Sequence, residues 1–375
     1  MNLPKVKTLF LTLIWFVAFL TVESSSYEVI LSWKQLDYDF PTLEARNKLI
    51  NSQAFIPENN IIAGVKVYEN RVFLTVPRWR EGEIGSCSSL QYVQSMTYDL
   101  FGRMWVIDVG RVNIFTEPDN HCPPKLLLID METDEVIKLY EFPDSVVSHT
   151  TNFLNDIVVS CEERKEDCFA YITDAMDAKL IVYNLREDKS WFVHHETMMA
   201  DDEASIIPIL GQNYTFKVNI DGIALSPLDA NFERVYYRPL SSYELYSVST
   251  SVLKQASNGV SLEHSQVISH GSTSSQSDGL TMDSQGFLYY GLLANNSVGY
   301  FNTTSARSVE NAEVVLVKND IVFQWVDTFA FDNKGYLYMT TNRVHRFEAK
   351  TLNFSEENFR AGVFIGNKSY MYSDF

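Results

Sequence analysis

The chain has 375 residues, 46% of them hydrophobic and 13% aromatic, with a formal net charge of −18. That length suffices for a sizeable core in one large domain or two smaller ones, and the composition excludes a disordered chain. The acidic balance argues against nucleic acid and anionic membrane as partners, since both need a basic footprint, and is compatible with plain solubility or with attraction of cations and amines.

Residues 1–25 read as a separate segment. Lys5 and Lys7 precede the apolar run Leu9–Leu20, and small and polar residues follow at Thr21–Ser26. A basic start, a short apolar stretch and a small-residue exit describe a secretory signal peptide, and the run is short for a membrane span. The expectation is a secreted, extracellular protein whose mature part, residues 26–375, is a single domain.

From residue 65 onward a phrase recurs: an alternating apolar strand, a polar turn, a second apolar strand. It begins at Val65 (VKVYENRVFLTV), Met96 (MTYDLFGRMWVIDV), Ile157, Ile223, Leu280 (LTMDSQGFLYYGL) and Phe329 (FAFDNKGYLYMT). Period-2 alternation around a Gly-containing or polar turn is a β-hairpin signal. Two more short strands follow several of these phrases, as in KLLLIDM and VIKLYEF after RMWVIDV. Four short strands per unit, repeated, predict an all-β, six-bladed β-propeller. Only 31 residues separate Val65 from Met96, against 49–66 between later starts, so the first blade is expected to lack its two outer strands. The last unit is read as three strands, FAFDNKGYLYMTTN and RVHRFEA, completed by the N-terminal strand within Ser26–Phe40, which closes the ring and removes its free edges. One short helix is expected within SSYELYSVSTSVLKQAS.

Four cysteines in a secreted chain are expected to pair. Cys161 and Cys168 flank a charged turn and are assigned to each other, leaving Cys87 with Cys122. Sequons at Asn213, Asn295, Asn302, Asn353 and Asn367 predict glycosylated surface positions.

Several phrases in order, including NNIIAGVKVYENRVFLTVPRWREG, LQYVQSMTYDLFGRMWVIDVGRVN, CPPKLLLIDM and RVYYRPLSSYELYSVST, resemble the insect yellow and major royal jelly protein family over about Tyr27–Phe347. The resemblance implies a secreted six-bladed propeller. It also implies a choice among cuticle pigmentation proteins, dopachrome-converting enzymes, royal jelly proteins and amine-binding salivary proteins. In that family the VPRW stretch is followed by a longer proline-rich segment, which Gly82–Ser86 replaces here. That departure points to a splice or gene-model variant or to a tolerated two-strand blade.

In a propeller the inner strand of each blade lines a central channel. Asp156, Asp221, Asp278 and Asp327 stand at or just before the inner strands of four units, so the repeat predicts a ring of carboxylates at one mouth. Such a ring binds a hard cation such as Ca²⁺, holds a cationic amine, or caps strand ends through backbone N–H groups. Thr328 and Asn342 are carried as ligand candidates because the resemblance implies that amine-binding relatives use this blade. Phe329 and Trp325 are candidates to stack on an aromatic amine or indole, or else are core. Asp278 and His149 are the candidates for a general base. No metal-binding His spacing, no G-x-S-x-G, no P-loop and no Rossmann glycine pattern occurs, and no cofactor beyond Ca²⁺ is expected. The reading is therefore a pigmentation-linked protein that binds or converts catechol-derived indoles such as dopachrome. A non-catalytic amine binder, a developmental or storage protein, and a Ca²⁺-dependent lactonase-like propeller are the alternatives.

Overall fold

The computed structural model describes residues 27–80, 86–227, 233–306, 308–365 and 369. The predicted signal peptide and the sequon at Asn367 lie outside them, as does most of Gly82–Ser86. Strand β1 (Glu28–Trp33) and helix α1 (Leu43–Asn51) come first, then the hairpin β2 (Val65–Tyr68) and β3 (Arg71–Leu74). Strands β4 (Val93–Tyr98), β5 (Arg103–Asp108), β6 (Lys125–Asp130) and β7 (Val136–Glu141) make one antiparallel blade. Strands β8 (Leu154–Cys161), β9 (Cys168–Asp174), β10 (Lys179–Asn184) and β11 (Lys189–His194) make the next. The hairpin β12 (Ile206–Ile209) and β13 (Gln212–Thr215) stands apart. Then come β14 (Ile220–Leu225), β15 (Arg234–Pro239), β16 (Glu244–Ser249), helix α2 (Thr250–Gln255), β17 (Val260–Ser261) and β18 (Val267–Ser272). β17 adds to β11 in parallel, and β18 completes the sheet of β14 to β16. Strands β19 (Leu280–Met282), β20 (Phe287–Leu292), β21 (Ser297–Asn302) and β22 (Val314–Lys318) form another blade. The final sheet holds β23 (Val326–Phe331), β24 (Tyr336–Thr341) and β25 (Phe359–Ile365), with helix α3 (Val344–Glu348) between the last two.

The recurring phrase folds for a local reason. In Asp99-x-x-Gly102, Asp283-x-x-Gly286 and Asp332-x-x-Gly335 the aspartate Oδ1 accepts backbone N–H groups two and four residues on. The glycine takes φ of +73°, +83° and +88° in turn. The side chain thus closes the turn while glycine supplies the left-handed residue. Between blades, apolar faces pack into buried clusters, exemplified by Trp105, Tyr183 and Ile172.

The architecture is an all-β propeller, but five blades are complete, not the six predicted. The phrase at Val65 yields only the two-stranded hairpin β2–β3, with β2 beside β4 and β23. Residues 75–92 must carry the chain back to the channel, and they contribute no outer strands among the described residues. A groove of about 600 Å³ beside this hairpin is walled by Phe73, Met96, Met104, Val106 and Met131. The N-terminal strand closes the last blade as expected, with β1 antiparallel to β25. The third strand of that blade is corrected. RVHRFEA is mainly α3, because Val344 and Phe347 are spaced to bury one helical face, and Phe359–Ile365 is the strand. The short helix expected near residue 250 is α2; α1, capped by Thr42 through the Ala45 N–H, was not anticipated.

Both cysteine pairs form as assigned, Cys87–Cys122 and Cys161–Cys168. Of the sequons, Asn213 and Asn353 are exposed, and Asn295 and Asn302 are half-buried.

Candidate functional site

The channel acids are placed by a repeated irregularity. The inner strand slips register against its neighbour between Val93 and Met96, Leu154 and Ile157, Ile220 and Ile223, and Val326 and Phe329. Such bulges bend a strand and re-aim its side chains, and they favour sites next to function. The slipped pairs are Gln94-Ser95, Asn155-Asp156, Asp221-Gly222 and Asp327-Thr328; Asp278-Gly279 holds the matching place before β19. Three acids, Asp221, Asp278 and Asp327, therefore occupy the first position. Asp156 occupies the second, with Asn155 standing where the ring would have an acid. The predicted ring of four equivalent carboxylates is a ring of three, with Asp156 one residue further along its strand.

The second position explains the glycines. A Cβ on Gly222 would come within 2.1 Å of the Asp278 carbonyl oxygen, and one on Gly279 within 2.1 Å of the Asp327 carbonyl oxygen. Gly279 N–H donates to that Asp327 carbonyl at 2.7 Å. Each Asp-Gly pair thus lets the following blade press against it.

Each carboxylate has partners. Asn155 Nδ2 donates to Asp221 Oδ1. Trp325 Nε1 donates to Asp278 Oδ2 at 2.7 Å. Asp327 accepts from Thr328 Oγ1 at 3.0 Å and from Asn342 Nδ2. Asn342 also donates to the Ile62 carbonyl at 2.7 Å and accepts from Val344 N–H at 3.2 Å, so it ties the ring to the segment leading into β2 and to α3. Thr328 and Asn342, the candidate ligand groups, are thus both committed to Asp327.

Burial dominates the electrostatics. Asp327 is pushed up to about 7 by burial, against the pull of Asn342 and Thr328. Burial, then repulsion from Asp327 and Asp156, drives Asp221 well above the usual carboxylate range. Burial, then repulsion from Asp327 and Asp221, does the same to Asp278, whose bond from Trp325 opposes the shift. Like charges in a low-dielectric site share protons rather than all ionising. Asp278 is the one ring acid that keeps some exposed surface.

Aromatic groups cover this side. Trp325 lies between Phe216, at 4.8 Å between ring centroids, and His345, stacked at 6.0 Å, with Tyr214 edge-on to His345 at 4.8 Å. Burial holds His345 down to about 3, so it is neutral. Trp325 adopts φ of +61°, a left-handed conformation costly for a bulky residue, on the order of 1–3 kcal/mol. Sequence reasoning missed this cover, since Phe216 and His345 lie outside the recurring phrases.

The channel itself encloses a cavity of about 70 Å³ bordered by Lys66, Thr97, Asp156, Thr281 and Phe329. Asp156 is the only one of the four predicted acids on its wall, and Phe329 is a wall residue while Trp325 is not. Lys66 was also missed, although it is the lone cation on an inner strand. His149 sits in the loop after β7, its Nε2 within 3.1 Å of the Phe142 carbonyl, and borders neither the ring nor the cavity. Among the described residues, the grouping closest to a metal-ligand set is Asp99 with Cys161 and Cys168, whose sulfurs are joined to each other; no three of the channel acids gather their oxygens within 4.8 Å.

The family model described as "Major royal jelly protein" matches residues 92–364. "Protein yellow" of Drosophila yakuba is 27% identical over 363 residues, covering 88% of this chain and 67% of that protein. "Protein yellow" of Drosophila erecta is 26% identical over 384 residues, covering 93% and 71%. Among solved structures, a luciferin-regenerating enzyme overlaps 84% of this chain and 98% of its own at 12% identity and a TM-score of 0.48, a likeness too loose to carry an argument. No helix among the described residues is long and apolar enough to cross a membrane.

Proposed function

The chain belongs to the major royal jelly protein family, and on that premise we propose that it is a secreted yellow-type protein of cuticle pigmentation, acting on catechol-derived indoles such as dopachrome. Two disulfides and the leader-like first 25 residues support an extracellular setting. The observation that carries the reading is Asp278, the ring acid that keeps some exposed surface, whose carboxyl accepts an indole N–H from Trp325 and is raised well above the usual range by burial and then by its acidic neighbours.

Tautomerisation of dopachrome to its dihydroxyindole moves two protons from carbon to oxygen, one after the other, and each transfer has the same form. A protonated Asp278 gives its proton to the substrate oxygen, and the resulting carboxylate takes the proton leaving carbon, so the site returns to its starting state. No redox partner is needed. An indole exceeds the 70 Å³ channel cavity, so the acid side is the proposed point of contact. Entry there requires Phe216 and His345 to part from Trp325.

The test follows dopachrome absorbance with folded, monodisperse protein, a heat-denatured control and D278N. A saturable acceleration that falls at least tenfold in D278N supports the assignment, on the scale of about 10²–10⁴ for a positioned acid–base group. Decay no faster than in the denatured control contradicts it.

A further inference from the structure

Independently of the acid ring, the channel cavity holds an unassigned nucleophile. Lys66 is the single cation on the inner strands, and its Nζ donates to the Phe329 carbonyl at 3.0 Å. Asp156 faces it across the same cavity, its Oδ1 accepting from Ser95 Oγ and Ile157 N–H, both at 2.8 Å. Thr97 and Thr281 also line the space, beside Ile157, Ile223, Leu280 and Ala330.

We propose that Lys66 captures aldehydes of one to three carbons in this cavity, as a reversible imine. Size sets the class. A cavity of about 150 Å³ takes benzene; about 70 Å³ accommodates two to four heavy atoms. Chemistry sets the rest. Burial lowers the Lys66 ammonium and raises the Asp156 carboxyl, with their mutual attraction opposing both shifts, so a proton passes between them more readily than between a surface lysine and a surface acid. The amine nitrogen bonds to the carbonyl carbon as the C=O π pair moves to oxygen. Asp156 protonates that oxygen, and the nitrogen returns a proton to the carboxylate, leaving a carbinolamine. Asp156 then protonates the hydroxyl, which leaves as water. Amine, aldehyde and carboxyl become a protonated imine, a carboxylate and water, with no change in oxidation state, and the iminium is left facing Asp156.

The experiment treats the intact folded protein with low acetaldehyde and sodium cyanoborohydride, then reads ethylation at each lysine by peptide mass spectrometry. Lys189 and Lys217, whose side chains are 71% and 62% exposed, are internal references. The expected result is labelling of Lys66 at least tenfold faster than of either reference, slowed tenfold in D156N with the references unchanged. Benzaldehyde is expected to label the references and spare Lys66. Labelling of Lys66 no faster than Lys189, or only after denaturation, overturns the proposal, as does equal labelling by benzaldehyde. The wild-type competition decides the matter even if D156N does not fold.

Discussion

A methyl group at Gly279 has nowhere to go, since it would meet the Asp327 carbonyl oxygen at 2.1 Å, and backbone yields less readily than a side chain. G279A is therefore expected to be destabilised by about 1–3 kcal/mol or more, the cost of overpacking, read as a fall in the urea midpoint at unchanged slope. G211A is the control, because a Cβ there meets nothing within 4 Å, although its φ of +78° makes a small loss expected. An unchanged midpoint in G279A would mean the blades do not meet as described. Trp325 gives a second residue-scale expectation. W325F removes the N–H on Asp278 and leaves a carboxyl that is only partly exposed short of a donor, a loss of about 1–3 kcal/mol. The residue scale is also where the sequence was most misleading. Asp156 and Asp221 look equivalent as text, each beside an inner strand, but period-2 alternation makes a one-residue offset a change of face, and the bulge that fixes the offset has no sequence signature of its own.

At the scale of elements, the recurring hairpins were legible because one side chain and one glycine make each turn, as at Asp332 and Gly335. The two disulfides were legible from spacing. The third strand of the last blade was not: RVHRFEA alternates well enough for a strand, yet Arg343 at φ +52° turns the chain and α3 buries Val344 and Phe347 together. The candidate site was half legible for a related reason. Its acids belong to the repeat, but its aromatic cover comes from Phe216, between units, and from His345, in the segment read as a strand that folds as α3. Strand β1 offers the element-scale test. It is the outer strand of the last blade and joins the two ends of the ring through β25. Deleting residues 27–33 is expected to expose β25 as an edge and to lower the thermal midpoint by several degrees, checked by calorimetry. A deletion variant with the parent midpoint would show that closure contributes nothing to stability.

For the whole molecule, the buried acids set a pH dependence with a definite sign. Burial raises Asp327 from an ordinary carboxylate value to about 7, and burial with repulsion from neighbouring acids raises Asp221 and Asp278 well above their ordinary values. Between about pH 4 and 7 the unfolded chain ionises these groups while the folded one keeps them protonated, so their contribution to stability is full below pH 4 and is lost as pH rises through 7. D327N is expected to flatten this decline, measured as urea midpoints from pH 5 to 8; a parallel decline would remove Asp327 as its source. The blade count was the larger feature that the sequence carried only in part. The short interval after Val65 announced missing strands, but whether a hairpin ranks as a blade depends on packing, and here it leaves a groove of about 600 Å³ beside β3. The claim that joins these scales is that Asp278 moves a proton on a catechol-derived indole. The most direct measurement is the pH profile of saturable dopachrome decay with wild type and D278N. An acceleration that persists while Asp278 is protonated, weakens as pH rises and is lost in D278N is the predicted result. A profile identical in the two proteins would contradict it.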